Sequence, residues 1–171
     1  MTSKRIGSDT IAFASILSGA YASAAVALFF LVVDTARGEP LLTPSVMGSV
    51  VLLGQAPSAD LPIRLDLLAY YSLIHFVIFV LLGTAATLSY VKLSAHRPRP
   101  LVLGAGILAV LMAGELVVDS FWMPGLVAAL GPLFVGLANL AASIVMAVFI
   151  HRTIAGQSAE VVDHAAVRPV A

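Results

Sequence analysis

The sequence predicts an all-α integral membrane protein, an antiparallel bundle of four transmembrane helices with a short helix on its extracytoplasmic side. The first observation is composition: 60% of the 171 residues are hydrophobic and 11% are charged, whereas soluble domains average roughly 45–50% and about 25%. The second is that four apolar stretches reach the length of about 20 residues that a helix needs to cross a bilayer. A soluble core of this size could not bury so much apolar surface, so we expect lipid around the chain.

The four predicted spans are predominantly apolar and cover residues 10–33, 67–91, 101–118 and 128–150. The first span follows Lys4 and Arg5, which resemble the start of a signal peptide. Its apolar run is longer than the roughly 7–15 residues of a signal-peptide core, so we expect a retained anchor, with cleavage as the alternative. Two short connections between the spans favour antiparallel neighbours.

The long connection between the first two spans contains a third kind of element. The run "TPSVMGSVVLLG" predicts a short helix over residues 44–54, with Thr43 as its cap and Pro44 in its first turn. At about 16 Å it is too short to cross a bilayer. We expect it on the outer surface, or entering the membrane as a re-entrant segment that protein supports.

The domain organisation is simple, with a single membrane domain over residues 1–152 and a tail over residues 153–171 that lacks an apolar period. We expect the tail to be disordered.

Lysine and arginine predict the orientation, because these residues accumulate on the cytoplasmic side. Arg37 and Arg64 fall on one side of the predicted spans, and seven basic residues fall on the other. Both termini are therefore expected in the cytoplasm, in a bacterial-type inner (plasma) membrane. The seven are Lys4, Arg5, Lys92, Arg97, Arg99, Arg152 and Arg168.

Small residues predict where the helices contact one another. Lipid provides no hydrophobic driving force for helix association, so the helices associate through van der Waals packing, and small residues let their backbones approach closely. Ser15, Gly19 and Ser23 recur every four residues in the first span, and Gly136 lies in the fourth. We interpret them as packing positions within the bundle, with a dimer face as the alternative.

Polar residues inside the spans form a candidate functional cluster. His75 is expected roughly 13 Å below the outer end of its span, with Tyr71 one turn above it. Asn139 falls at a similar depth, and Glu115 lies closer to the outer edge. Since polar groups in hydrocarbon are costly unless they are paired, these four side chains should face the bundle interior. They are either structural hydrogen-bonding groups or groups that handle protons or contact a ligand. Asp119, by contrast, is expected to be a solvated helix end.

Several chemistries lack support in the sequence. There is no cysteine, no H-E-x-x-H, no G-x-S-x-G and no glycine-rich phosphate loop. A net charge of zero gives no indication of nucleic-acid binding. We therefore assign no catalytic residue, metal ligand or cofactor, and a haem held by two histidines would need a second ligand besides His75.

Three stretches, "LFFLVVDTARGEPLLTPSVMGS", "YYSLIHFVIFVLLG" and "GLANLAASIVMAVFIHR", together resemble small bacterial four-helix integral membrane proteins of unknown function. The resemblance implies the membrane fold and no activity.

Our leading hypothesis is a non-enzymatic accessory or assembly subunit, or a homo-oligomeric scaffold, whose partners are the bilayer, further copies or a larger membrane complex. One alternative is a small oligomeric transporter or proton-coupled channel that uses His75 and Glu115. A second is a membrane redox or haem-binding protein with His75 as a ligand.

Overall fold

The computed structural model describes residues 7–58, 61–93 and 99–166, with side chains as far as residue 156. All of its regular structure within these ranges is helical, which confirms the all-helical prediction. The helices are α1 (Ser8–Ala36), α2 (Leu42–Leu53), α3 (Leu65–Lys92), α4 (Pro100–Phe121), α5 (Leu126–Leu130) and α6 (Pro132–Ala166). Four of them, α1, α3, α4 and the Pro132–Gly156 part of α6, are long and apolar enough to cross a membrane.

The fourth predicted span differs from the structure at both ends. Gly131, with φ at +90°, separates the short helix α5 from α6, and Pro132 occupies the first position of α6, where a missing N–H costs nothing. The span predicted from residue 128 therefore begins at residue 132. At its other end α6 continues to Ala166, through most of the segment that we predicted to be disordered. Residues 167–171 of that segment lie outside the described residues.

The long helices pack in the order α3, α1, α6, α4. Helix α1 contacts both α3 and α6 along its length, and α4 packs mainly against α6. Helix α2 packs on α3, whereas α3 and α4 barely touch each other. The protein therefore has a tight side, where α1 is sandwiched, and a loose side between α3 and α4.

Glycine makes the α1–α3 contact close. A Cβ atom added at Gly19 would collide with the backbone of Phe79 and Val80, and one added at Gly83 would lie 2.7 Å from the carbonyl oxygen of Ser15. Ser15 and Ser23 are buried on the same face of α1 as Gly19. The structure thus places three of the four predicted small residues where α1 is packed.

Gly136 does not fit its predicted packing role. A Cβ atom added there would meet no atom within 4 Å, because the buried face of α6 at this level is formed by Val135, Ala138 and Ala142. The α1–α6 contact uses alanines as its small residues, where the α1–α3 contact uses glycines. Ala14 and Ala22 of α1 are fully buried in the same core as Ala138 and Ala142 of α6.

Helix α2 is tied to both of its neighbours by hydrogen bonds. Asp34 of α1, fully buried, accepts two bonds of 2.7 Å from Thr43, one from its backbone N–H and one from its hydroxyl. The hydroxyl of Ser45 accepts a 2.7 Å bond from the backbone N–H of Arg64, just before α3. Thr43 is therefore not the predicted cap: α2 begins at Leu42, two residues earlier than predicted, and the Thr43 side chain bonds to α1 instead.

Three charged side chains near α2 and α5 also form hydrogen bonds or ion pairs. Asp119, predicted to be solvated, accepts a 2.8 Å bond from the backbone N–H of Val127 and so satisfies an amide in the first turn of α5. Arg64 forms an exposed ion pair with Asp66, and the hydrogen bond between them holds the pKa of the Arg64 guanidinium above its usual value. We call this end of the molecule, which carries α2 and α5, the α2 end.

Candidate functional site

A cavity of about 730 Å³ occupies the loose side of the protein, between α3 and α4. Its back wall is formed by α1 and α6, through residues such as Ser23, Val26 and Ala138. The cavity exists because α3 packs on α1 while α4 packs on α6, so the two outer helices are held apart. Its volume lies within the range of about 300–1,000 Å³ that is typical of pockets for small molecules.

The α2 end closes one side of the cavity. Met47 and Val51 of α2 and Leu126 and Leu130 of α5 contribute to its lining. Behind them, Val46, Val50 and Leu126 form a small buried apolar cluster of their own. Trp122, the only tryptophan of the sequence, borders the cavity but is 80% exposed. The lining is therefore almost entirely apolar, and its few polar groups stand out.

His75 is the first of these polar groups. Helix α3 holds its ring between two aromatic neighbours one turn away, with ring centroids 5.8 Å from Tyr71 and 4.6 Å from Phe79. The backbone of Ser23, on α1, interacts with the ring. The Nε2 atom of the ring is buried and has no hydrogen-bond partner. Burial without a partner is expensive for a polar atom, so Nε2 needs an explanation.

Glu115 of α4 faces the same cavity and presents the same problem. Its Oε2 atom is buried and has no hydrogen-bond partner. Asn139 of α6, 4% exposed, interacts with the Glu115 carboxyl group and places its Nδ2 atom 3.6 Å from the sulfur of Met112. Tyr71 lies close enough to Glu115 for an electrostatic interaction.

All four residues of the predicted polar cluster line this one cavity: Tyr71, His75, Glu115 and Asn139. They come from three helices. Their similar depths along the predicted spans indicate that they can lie close together. Their functional role stays a prediction. Thr87 of α3 also has a buried hydroxyl without a partner, but it does not line the cavity.

A second polar contact, which the sequence did not predict, lies at the end of the molecule opposite the α2 end. The Tyr90 hydroxyl of α3 lies 2.9 Å from Nδ1 of His151 on α6, and Tyr90 is 2% exposed. The signal was present, because a tyrosine and a histidine occupy matching depths near the ends of two predicted spans.

The described residues contain no group of three or more His, Asp or Glu side chains that could hold a metal ion. Comparison of the chain with protein-family models, with curated proteins and with solved structures gives no match. The proposals below therefore stand on the geometry of the cavity.

Proposed function

We propose that this chain is a multi-pass integral membrane protein whose four long helices, α1, α3, α4 and α6, cross an inner (plasma) membrane as an antiparallel bundle. The excess of lysine and arginine on one side supports cytoplasmic termini. The α2 end then faces outward. Because α2 is packed on α3 and carries no charged residue, it fits either the outer interface or a shallow re-entrant position.

We propose further that the protein is a non-enzymatic accessory protein that binds an amphiphilic small molecule in the α3–α4 cavity. One observation supports this above all: two buried polar atoms, His75 Nε2 and Glu115 Oε2, lack partners in a cavity of ligand size that is otherwise apolar. An amphiphile with a polar head and a hydrocarbon body complements both features.

A lipid tail alone would not be a sufficient occupant. Hydrocarbon would fill the volume but would leave Nε2 and Oε2 without hydrogen bonds, at a cost of about 1–3 kcal/mol for each atom. Water could bridge the two polar atoms, but it would leave the apolar lining wet. A ligand that carries both kinds of surface satisfies the whole site.

The test uses native mass spectrometry of the protein released gently from its own membranes. Gly114 lines the cavity beside Glu115, and a Cβ atom there meets nothing within 4 Å, so Gly114→Leu adds a side chain to the cavity from a position where its first atom is accommodated. Gly106 is its matched control, because it lies on the same helix, is equally open and does not line the cavity.

We expect a small-molecule adduct on the native chain and on Gly106→Leu, and its loss from Gly114→Leu. An adduct that persists in Gly114→Leu, or no adduct on any of the three proteins, contradicts binding in the cavity. A protein partner that stays bound to all three would instead favour an assembly role that does not depend on the cavity.

A second candidate function is a proton-coupled transporter or channel, because the cavity brings two ionisable side chains, His75 and Glu115, to one apolar site. Proteoliposomes with an imposed proton gradient test it. Transport would require proton flux that Glu115→Gln abolishes and Glu39→Gln, a change at an exposed residue outside the long helices, preserves.

A further inference from the structure

The charges around the cavity limit what its ligand can be. Among the lining residues, all within the described part of the chain, Glu115 is the one carboxylate and there is no lysine or arginine. The other ionisable groups that face it are His75 and Tyr71. An ionised Glu115 therefore has no counter-charge among the residues that line the cavity, and a buried charge without a counter-ion is costly.

The hydrogen-bonding groups of the cavity also favour a ligand that is a cation and a hydrogen-bond donor. Nε2 of His75 has no hydrogen-bond partner, and a neutral imidazole that carries its proton on Nδ1 presents Nε2 as an acceptor. The Oε2 atom of Glu115 also lacks a partner and accepts hydrogen bonds when the carboxyl group is ionised, so a cation with N–H donors would satisfy both atoms and supply the counter-charge.

Aromatic side chains complete the surroundings. Tyr71 and Phe79 flank His75 on α3, and both line the cavity together with Phe30 of α1. Aromatic faces attract cations, and they do so more strongly where water is excluded.

We propose that the ligand of this cavity is a single-chain cationic amphiphile with N–H donors, of the alkylammonium class, whose head group lies between Glu115 and His75. Glu115 supplies the counter-charge and one acceptor, and His75 supplies the second acceptor. The tail extends along the apolar lining toward Met47 and Val51 of α2. This inference rests on the proposed ligand-binding function and specifies the class of ligand.

The experiment uses the full chain in phosphatidylcholine nanodiscs and three probes with the same alkyl chain: dodecylammonium, dodecyltrimethylammonium and dodecanol. Each is titrated below its micelle-forming concentration, and empty nanodiscs supply the partitioning background. The probes differ in charge and in N–H donors, so each property is isolated by one comparison.

We expect saturable binding of dodecylammonium at one site. Glu115→Gln should weaken that binding by about tenfold to a hundredfold, the loss of a charge-assisted hydrogen bond, and leave dodecanol unchanged. His75→Phe, which keeps a ring and removes the acceptor, should weaken dodecylammonium but not dodecyltrimethylammonium. Glu39→Gln, which removes an exposed carboxylate elsewhere, should change none of the affinities.

Equal binding of dodecanol and dodecylammonium, or an unchanged affinity in Glu115→Gln, would overturn the cationic class while leaving a ligand-binding cavity in place. The same holds if the native chain carries an adduct from its own membranes that these cations do not displace. If no probe binds and the isolated protein carries no adduct, the proposed function fails as well.

Discussion

The two sides of α3 are packed in opposite ways. Toward α1, glycines bring the backbones together so closely that no Cβ atom fits at Gly19 or Gly83. Toward α4, the same helix makes hardly any contact and borders a cavity of about 730 Å³.

The difference separates the part of the molecule that holds the helices together from the part that is available for binding. The α1–α3 contact leaves no space for a ligand and buries serines among the small residues. The α3–α4 side contains a cavity, and two polar atoms that face this cavity have no hydrogen-bond partner. Substitutions on the two sides should therefore affect stability with different magnitudes and, at the cavity, with the opposite sign.

The largest effect is expected from Gly19→Val. Because the new side chain would overlap the backbone of Phe79 and Val80, α1 and α3 must move apart, and we expect a loss of about 3 kcal/mol or more in the free energy of unfolding. Circular dichroism during titration with a denaturing detergent measures it. A loss below about 1 kcal/mol would mean that the contact yields easily and that the tight side is not rigid.

A smaller loss is expected where α2 is tied to α1. Asp34→Ala removes both acceptors of the Thr43 bonds, and because the carboxylate is fully buried, the free energy of unfolding should fall by about 2–3 kcal/mol. Thr43→Val removes only the side-chain bond and should cost about 1 kcal/mol. Equal losses in the two variants would show that the backbone bond contributes nothing.

The sequence predicted the helices and the members of the polar cluster better than it predicted their partners. Hydropathy and length identify four long helices because both are properties of a single segment. Tyr71, His75, Glu115 and Asn139 were grouped by depth, which follows from a rise of about 1.5 Å per residue. Their rotation about each helix axis, and so the identity of Ser23 as the neighbour of His75, depends on how α1 and α3 pack.

The errors have the same origin. Gly136 has the composition of a packing residue, but the buried face of α6 is turned toward Ala138 and Ala142. Thr43 has the character of a cap, but its side chain bonds to an aspartate nine residues earlier. The break at Gly131 was missed because the residues on both sides of it are apolar. Each error concerns a tertiary contact or a single backbone conformation, neither of which hydropathy reports.

On the cavity side, removing a charge should stabilise the protein. Glu115→Met replaces a carboxylate that has a buried, unpartnered oxygen with an apolar side chain of similar length. We expect the free energy of unfolding of the ligand-free protein to rise by about 1–2 kcal/mol, while binding of dodecylammonium is lost. A fall in stability would show that Glu115 is a structural group, and would remove the contrast between the two sides of α3.

The smallest expected effect separates packing glycines from others. Gly136→Ala places a methyl group where nothing lies within 4 Å, and alanine is favoured over glycine inside a helix by roughly 0.5–1 kcal/mol. Its free energy of unfolding should therefore stay unchanged or rise by up to about 1 kcal/mol. Gly19→Ala carries the same gain in helix propensity, yet its methyl group meets the backbone of α3, so its net effect on the free energy of unfolding should be a loss.

Because the two substitutions are identical, the difference between their changes in the free energy of unfolding reports only the contact between α1 and α3. If both variants were stabilised, the close approach of α1 and α3 would not be a constraint, and the distinction between a tight side and a loose side would have no energetic basis.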